Sequence, residues 1–168
     1  MGVHLIPRLH WRAPAITGYA DTVPASERTG IVVHHTVYPE GASQEDVEAL
    51  LRDIDQYHRK LESGGIGYNL VVDYAGRVYE ARGIDVMGAH TARVNRHNYG
   101  VAYMGDTRIR VTSDAVEAIR RVVDLLQGHS AKSLAVAGHN QFGDTLCPGT
   151  HLDTLVRSGE FKRPFPSN

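Results

Sequence analysis

The chain holds a single cysteine in 168 residues, so no internal disulfide can form and the fold does not depend on an oxidising compartment. No stretch approaches the roughly 18 apolar residues that a membrane-spanning helix needs. The opening residues, Met1 to Arg8, lack the apolar run of a secretory signal, and Ile6 stands where a myristoylation motif requires Ser or Thr. Excess charge of one sign is missing too: the formal net charge of -1 provides no field to draw nucleic acid or anionic membrane. There is no internal repeat and no low-complexity segment. The expectation is a monomer made in the cytoplasm without a signal peptide, with no nucleic-acid partner and no stable membrane anchoring.

What is present is ordinary in bulk and unusual in one residue type. Hydrophobic content of 42% and charged content of 22% suit a globular chain, and the length suits one domain. Ten histidines direct attention to metal or acid–base chemistry. Pro7, Pro14 and Pro24 break any helix near the start, so residues 1–28 read as an irregular arm, anchored through the apolar area of Trp11. Thr29 to Val37 reads as a buried strand, with Ile31, Val32 and Val33 contiguous and β-branched. Ser43 caps a helix running to about Leu61, whose apolar stripe is Val47, Leu50, Leu51, Ile54, Tyr57 and Leu61. Tyr68 to Glu80 reads as a hairpin turning at Tyr74-Ala75-Gly76, and Tyr99 to Met104 as a further strand. Thr112 or Ser113 caps a second helix carrying Val116, Ile119, Val122, Val123 and Leu126. Leu134 to Ala137 is a short strand, and Gly149 to about Ser158 holds a last helix with Leu152 and Leu155 inward. Strands alternating with helices, interrupted by one hairpin, predict an α/β fold: a mixed central sheet flanked by helices.

The lone Cys147 lies eight residues after His139, in a segment that turns through Gly143, Pro148 and Gly149. As a residue type it is core filler, a nucleophile or a metal ligand. The strand at 31–33 ends in His34 and His35, which point to opposite faces, so only one of them can join a shared site, and alternation does not say which. One thiolate and two imidazoles make a three-ligand zinc set with the fourth position open, the pattern of catalytic rather than structural zinc.

Three segments carry a resemblance. Ile31-Val32-Val33-His34-His35-Thr36, then Gly67-Tyr68-Asn69-Leu70-Val71-Val72 with Gly76-Arg77-Val78-Tyr79-Glu80 and Gly88-Ala89-His90-Thr91, and finally Gly138-His139 through Thr145-Leu146-Cys147-Pro148-Gly149, occur in the order seen in the zinc-dependent N-acetylmuramoyl-L-alanine amidases. That family takes in phage endolysin amidases and peptidoglycan recognition proteins, and the chain resembles it from about Arg8 to Leu155, most of all an endolysin amidase domain.

The resemblance implies His34, His139 and Cys147 as zinc ligands, leaving His35 to the other face. It implies Tyr68 and Thr145 as catalytic residues, and His90, Asn95 and Arg96 as substrate-binding residues. The chain divides into the 1–28 arm, a catalytic domain at 29–158 and, from the composition of its end, a tail or linker at 159–168, which leaves open additional lysin modules in a longer parent chain. The implied reaction is hydrolysis of the amide between N-acetylmuramic acid and L-alanine in peptidoglycan, acting on the bacterial cell wall; the alternative is a peptidoglycan-binding module without catalysis. In that reaction zinc polarises the carbonyl and lowers the pKa of water to about 7, while Tyr68 and Thr145 hydroxyls donate to the developing oxyanion. Tyr68 and His90 are the candidates to protonate the leaving amine.

Overall fold

The computed structural model describes residues 2–18, 20–41 and 43–162. Six strands form one sheet: β1 (Leu5–Ile6), β2 (Gly30–His35), β3 (Leu70–Val72), β4 (Val78–Glu80), β5 (Asn98–Tyr103) and β6 (Ala135–Gly138), in the order β1-β4-β3-β5-β2-β6. Among the six described strands the β3–β4 hairpin pairs antiparallel and the other neighbouring pairs are parallel. The mixed sheet expected from the alternation of strands and helices is present. β2 lies second from one edge and is fully buried along its length, which explains its unbroken apolar run.

Three helices cover the sheet: α1 (Gln44–Lys60), α2 (Ser113–Ser130) and α3 (Thr150–Ser158). Ser43 and Thr112 cap the first two, each accepting a hydrogen bond from the amide three residues on. Alternation along the strands sorts the core into two layers. Ile31 and Val33 of β2, with Leu70, Val72, Tyr99, Val101 and Tyr103, pack with α2 and α3. Val71, Tyr79, Ala102 and Met104 pack with Val47, Leu51 and Ile54 of α1 and with Trp11. Among the described residues no helix is long and apolar enough to cross a membrane.

Two expectations are corrected. Residues 1–28 are not simply irregular: Leu5 and Ile6 add a strand beside Val78 and Tyr79, and residues 25–27 form a 3-10 turn. Trp11 does anchor this segment, fully buried with its indole N–H donating to the Glu80 carbonyl at 2.8 Å. The α1 stripe is also shorter than its spacing suggests. Tyr57 and Leu61 are 51% and 58% exposed, while Asp55 is buried beside Arg8 and Arg59 at 2.8 and 2.7 Å. At the other end Phe161 is fully buried in the α2–α3 core, so the start of the expected tail packs with the fold; residues 163–168 lie outside the described residues.

Candidate metal centre

The site sits at the carboxyl ends of parallel strands, where side chains emerge from the sheet towards a crevice. The β2–β6 register pairs Val33 with Gly138, so the next residue of each chain segment, His34 and His139, arrives at the same level. Their ring centroids are 4.6 Å apart. Cys147 returns on the loop after β6, with Sγ 3.5 Å from His34 Nδ1. One donor atom from each of His34, His139 and Cys147 lies within 4.8 Å of the others. The backbone amide of His35 donates to Cys147 Sγ at 3.4 Å, which favours the thiolate.

This donor set fits zinc. Two imidazoles and one thiolate are the borderline-soft ligands that zinc selects. Burial pushes the Cys147 thiol up to about 11, so the thiolate at neutral pH calls for a cation beside it. Burial lowers His34 well below its ordinary value and lowers His139 as well, leaving neutral rings with lone pairs to give. Strand alternation is resolved here: His34 turns to the α1 side and into the site, and His35 turns away to Thr107 and Asp106, its Nδ1 3.3 Å from the Thr107 amide and 3.7 Å from Asp106 Oδ1.

The trio of His34, His139 and Cys147 opens on a pocket of about 350 Å³ whose wall includes Tyr68, His90 and Thr145. The Tyr68 ring stands 5.2 Å from His34, and burial raises its phenol pKa, so it keeps its proton and serves as a hydrogen-bond donor. Thr145 Oγ1 accepts from the Cys147 amide at 3.2 Å, which leaves its own O–H free to donate outward. His90 is held neutral, its pKa lowered by burial to about 3, and its Nδ1 faces His34 Nε2 at 3.0 Å.

Asn95 and Arg96 are not in the pocket wall. Asn95 Oδ1 accepts from the amides of His90 and Thr91 at 3.1 and 2.7 Å, so it shapes the loop behind the site. Arg96 is exposed and paired with Glu27 at 2.8 Å. Asn95 was expected near the groove from the resemblance and Arg96 as a cation for stem carboxylates; in the structure these are the contacts their side chains make.

Two residues were not singled out in the sequence. His58, on the last turns of α1, lines the pocket with its ring 5.5 Å from that of Tyr68 and tilted to it, while its Nδ1 accepts from the Gly67 amide at 2.9 Å. Its only sequence signal is a position four residues beyond Ile54, on the stripe that faces the sheet. Arg28 is fully buried and donates to the carbonyls of Ile84, Val86, Asn95, Arg96 and Asn98, which fixes the loop carrying His90. No local pattern marks it, because its partners lie 56 to 70 residues away.

A layered α/β fold with a histidine–histidine–cysteine set at its strand ends defines the type 2 amidase class. The N-acetylmuramoyl-L-alanine amidase family profile matches residues 24–150, and the chain belongs to this family. Peptidoglycan-recognition protein SC2 of Drosophila simulans is 30% identical over 162 residues, covering 94% of this chain and 87% of that protein. The human N-acetylmuramoyl-L-alanine amidase is 34% identical over 137 residues, 76% of this chain and 23% of that much longer protein. Among solved structures, Drosophila PGRP-LB superposes with a TM-score of 0.87 over 99% of both chains at 23% identity.

Proposed function

We propose that this protein is a zinc-dependent amidase that cleaves the bond between N-acetylmuramic acid and L-alanine in peptidoglycan. The observation that carries the reading is the convergence of His34, His139 and Cys147 donor atoms within 4.8 Å at the floor of an open pocket. His34, His139 and Cys147 would hold the ion. When bound there, zinc supplies Lewis acidity and a water of lowered pKa at neutral pH.

The chain's own groups complete the chemistry. Tyr68 and Thr145, on the pocket wall, are placed to donate hydrogen bonds to the carbonyl oxygen as negative charge develops on it, stabilising the transition state more than the ground state. The ring of His58 and the side chains of Val37 and Leu146 give the pocket walls against which a substrate excludes water. Cys147 favours this reading over a binding module without catalysis, because it supplies the thiolate that completes the ligand set.

The experiment is digestion of purified peptidoglycan by zinc-loaded and EDTA-treated protein, followed by identification of new amino termini. The expected result is free L-alanine amino termini that disappear with EDTA and return with zinc. Release that survives metal removal rejects the metal mechanism; tight peptidoglycan binding with no release by the zinc-loaded protein selects the binding module. The endolysin role is the finer part of the same proposal, and lysis of intact bacterial walls, beyond cleavage of soluble muropeptides, is its test.

A further inference from the structure

His34 has two ring nitrogens with different neighbours. Nδ1 faces Cys147 Sγ at 3.5 Å, and Nε2 faces His90 Nδ1 at 3.0 Å and Thr91 Oγ1 at 3.3 Å. A metal on Nδ1 leaves the ring proton on Nε2, and that N–H requires an acceptor. His90 Nδ1 and Thr91 Oγ1 are the two polar atoms beside it, and they lie 2.9 Å from one another. The single lone pair of His90 Nδ1 takes the His34 proton, and the Thr91 oxygen, 3.3 Å from the same His34 nitrogen, shares it.

The His90 ring is fixed in this role. A Cβ added at Gly88 would fall 2.3 Å from His90 Cδ2, and one added at Gly100 would fall 2.4 Å away, so two glycines close on the ring from backbone level. Asn95 Oδ1 accepts from the amides of both His90 and Thr91, setting the direction in which the two side chains leave the loop. With Nδ1 accepting, the neutral ring carries its proton on Nε2, which is buried. The two rings meet edge to face, 4.9 Å between centroids at 82°.

We propose that His90 is a positioning residue: with Thr91 it accepts the proton of His34 Nε2 and holds His34 Nδ1 towards the metal, and Asn95 builds the loop that presents it. This replaces the substrate contact expected of His90 and Asn95, and it rests on the zinc reading of the His34, His139 and Cys147 site. Such partners of a metal-bound histidine change metal affinity by roughly 10- to 100-fold when removed.

The test is zinc affinity by chelator competition, with KM and kcat measured at saturating zinc and thermal unfolding measured without metal. His90→Leu should weaken zinc binding by about 10- to 100-fold and leave KM within about twofold. His90→Asn, whose Oδ1 takes the place of Nδ1, should recover most of that affinity. Thr91→Val should weaken zinc binding in the same direction by a smaller factor. Parent-like zinc affinity in His90→Leu, or a rise in KM with zinc affinity unchanged, overturns the proposal. Should His90→Leu fail to fold, Thr91→Val decides: weaker zinc binding supports the proposal and unchanged affinity overturns it. Failure of the parent itself to bind zinc would reject the underlying metal site instead.

Discussion

His34 and His139 stand 4.6 Å apart, centroid to centroid, because parallel pairing of Val33 with Gly138 carries two distant chain segments to the same level of the sheet. The sheet register thus sets the spacing of the two proposed ligands, and the loop after β6 needs only to return Cys147 to them.

Cys147→Ser keeps the shape of the third ligand but replaces a soft thiolate with a hydroxyl that stays protonated at neutral pH. Zinc affinity should fall by at least about 100-fold, beyond the loss expected from a partner outside the ligand set. Chelator competition measures it, and unchanged affinity would remove Cys147 from the site.

Tyr68→Phe deletes one donor from the pocket wall and little volume. Its kcat should drop by about 10²- to 10³-fold with zinc affinity retained, the loss typical of one oxyanion donor. Thr145→Val should act in the same direction. Steady-state kinetics on a defined muropeptide, with zinc content measured in parallel, separates this from metal loss.

Asp55 links α1 to the N-terminal segment. Burial raises its pKa, but hydrogen bonds from Arg8, the Ile66 amide and Arg59 more than offset this, and the net shift is downward. A carboxyl with a depressed folded pKa contributes stability that is full above its unfolded value of about 3.9 and is lost as pH falls through the folded pKa. Asp55→Asn should therefore lower stability at pH 7 and flatten the loss of stability below about pH 4. Urea unfolding of both proteins across that range tests it; parallel curves would show that Asp55 is not the linked group.

Arg28→Met leaves five loop carbonyls without their shared donor. It should cost about 3 kcal/mol or more, in line with the loss of one partner of a buried charged network. Denaturant unfolding reads the loss. Because the same loop carries His90, zinc affinity should weaken in this variant too.

The elements were legible where the signal is local. Ser43 and Thr112 are capping residues whose side chains meet the amide three positions on, and the β3–β4 hairpin follows from its apolar runs and its Gly76 turn. The strand at Leu5–Ile6 was not legible, since two residues carry no period and pair with a segment more than seventy positions away. The contacts of Asn95 and Arg96 were not legible for a related reason: sequence does not say which way the loop turns their side chains.

By itself the sequence determined the chemistry available: one thiol, a histidine eight residues before it, an apolar strand ending in two histidines, and the motif order of an amidase. The tertiary structure decided which of those histidines faces the site, through the strand's two-residue alternation and its register with β6. It also set His90 Nδ1 against His34 Nε2 and brought His58 to the pocket. These contacts join residues far apart in the chain, and only the packing of α1 and the loops over the strand ends determines the distances between them.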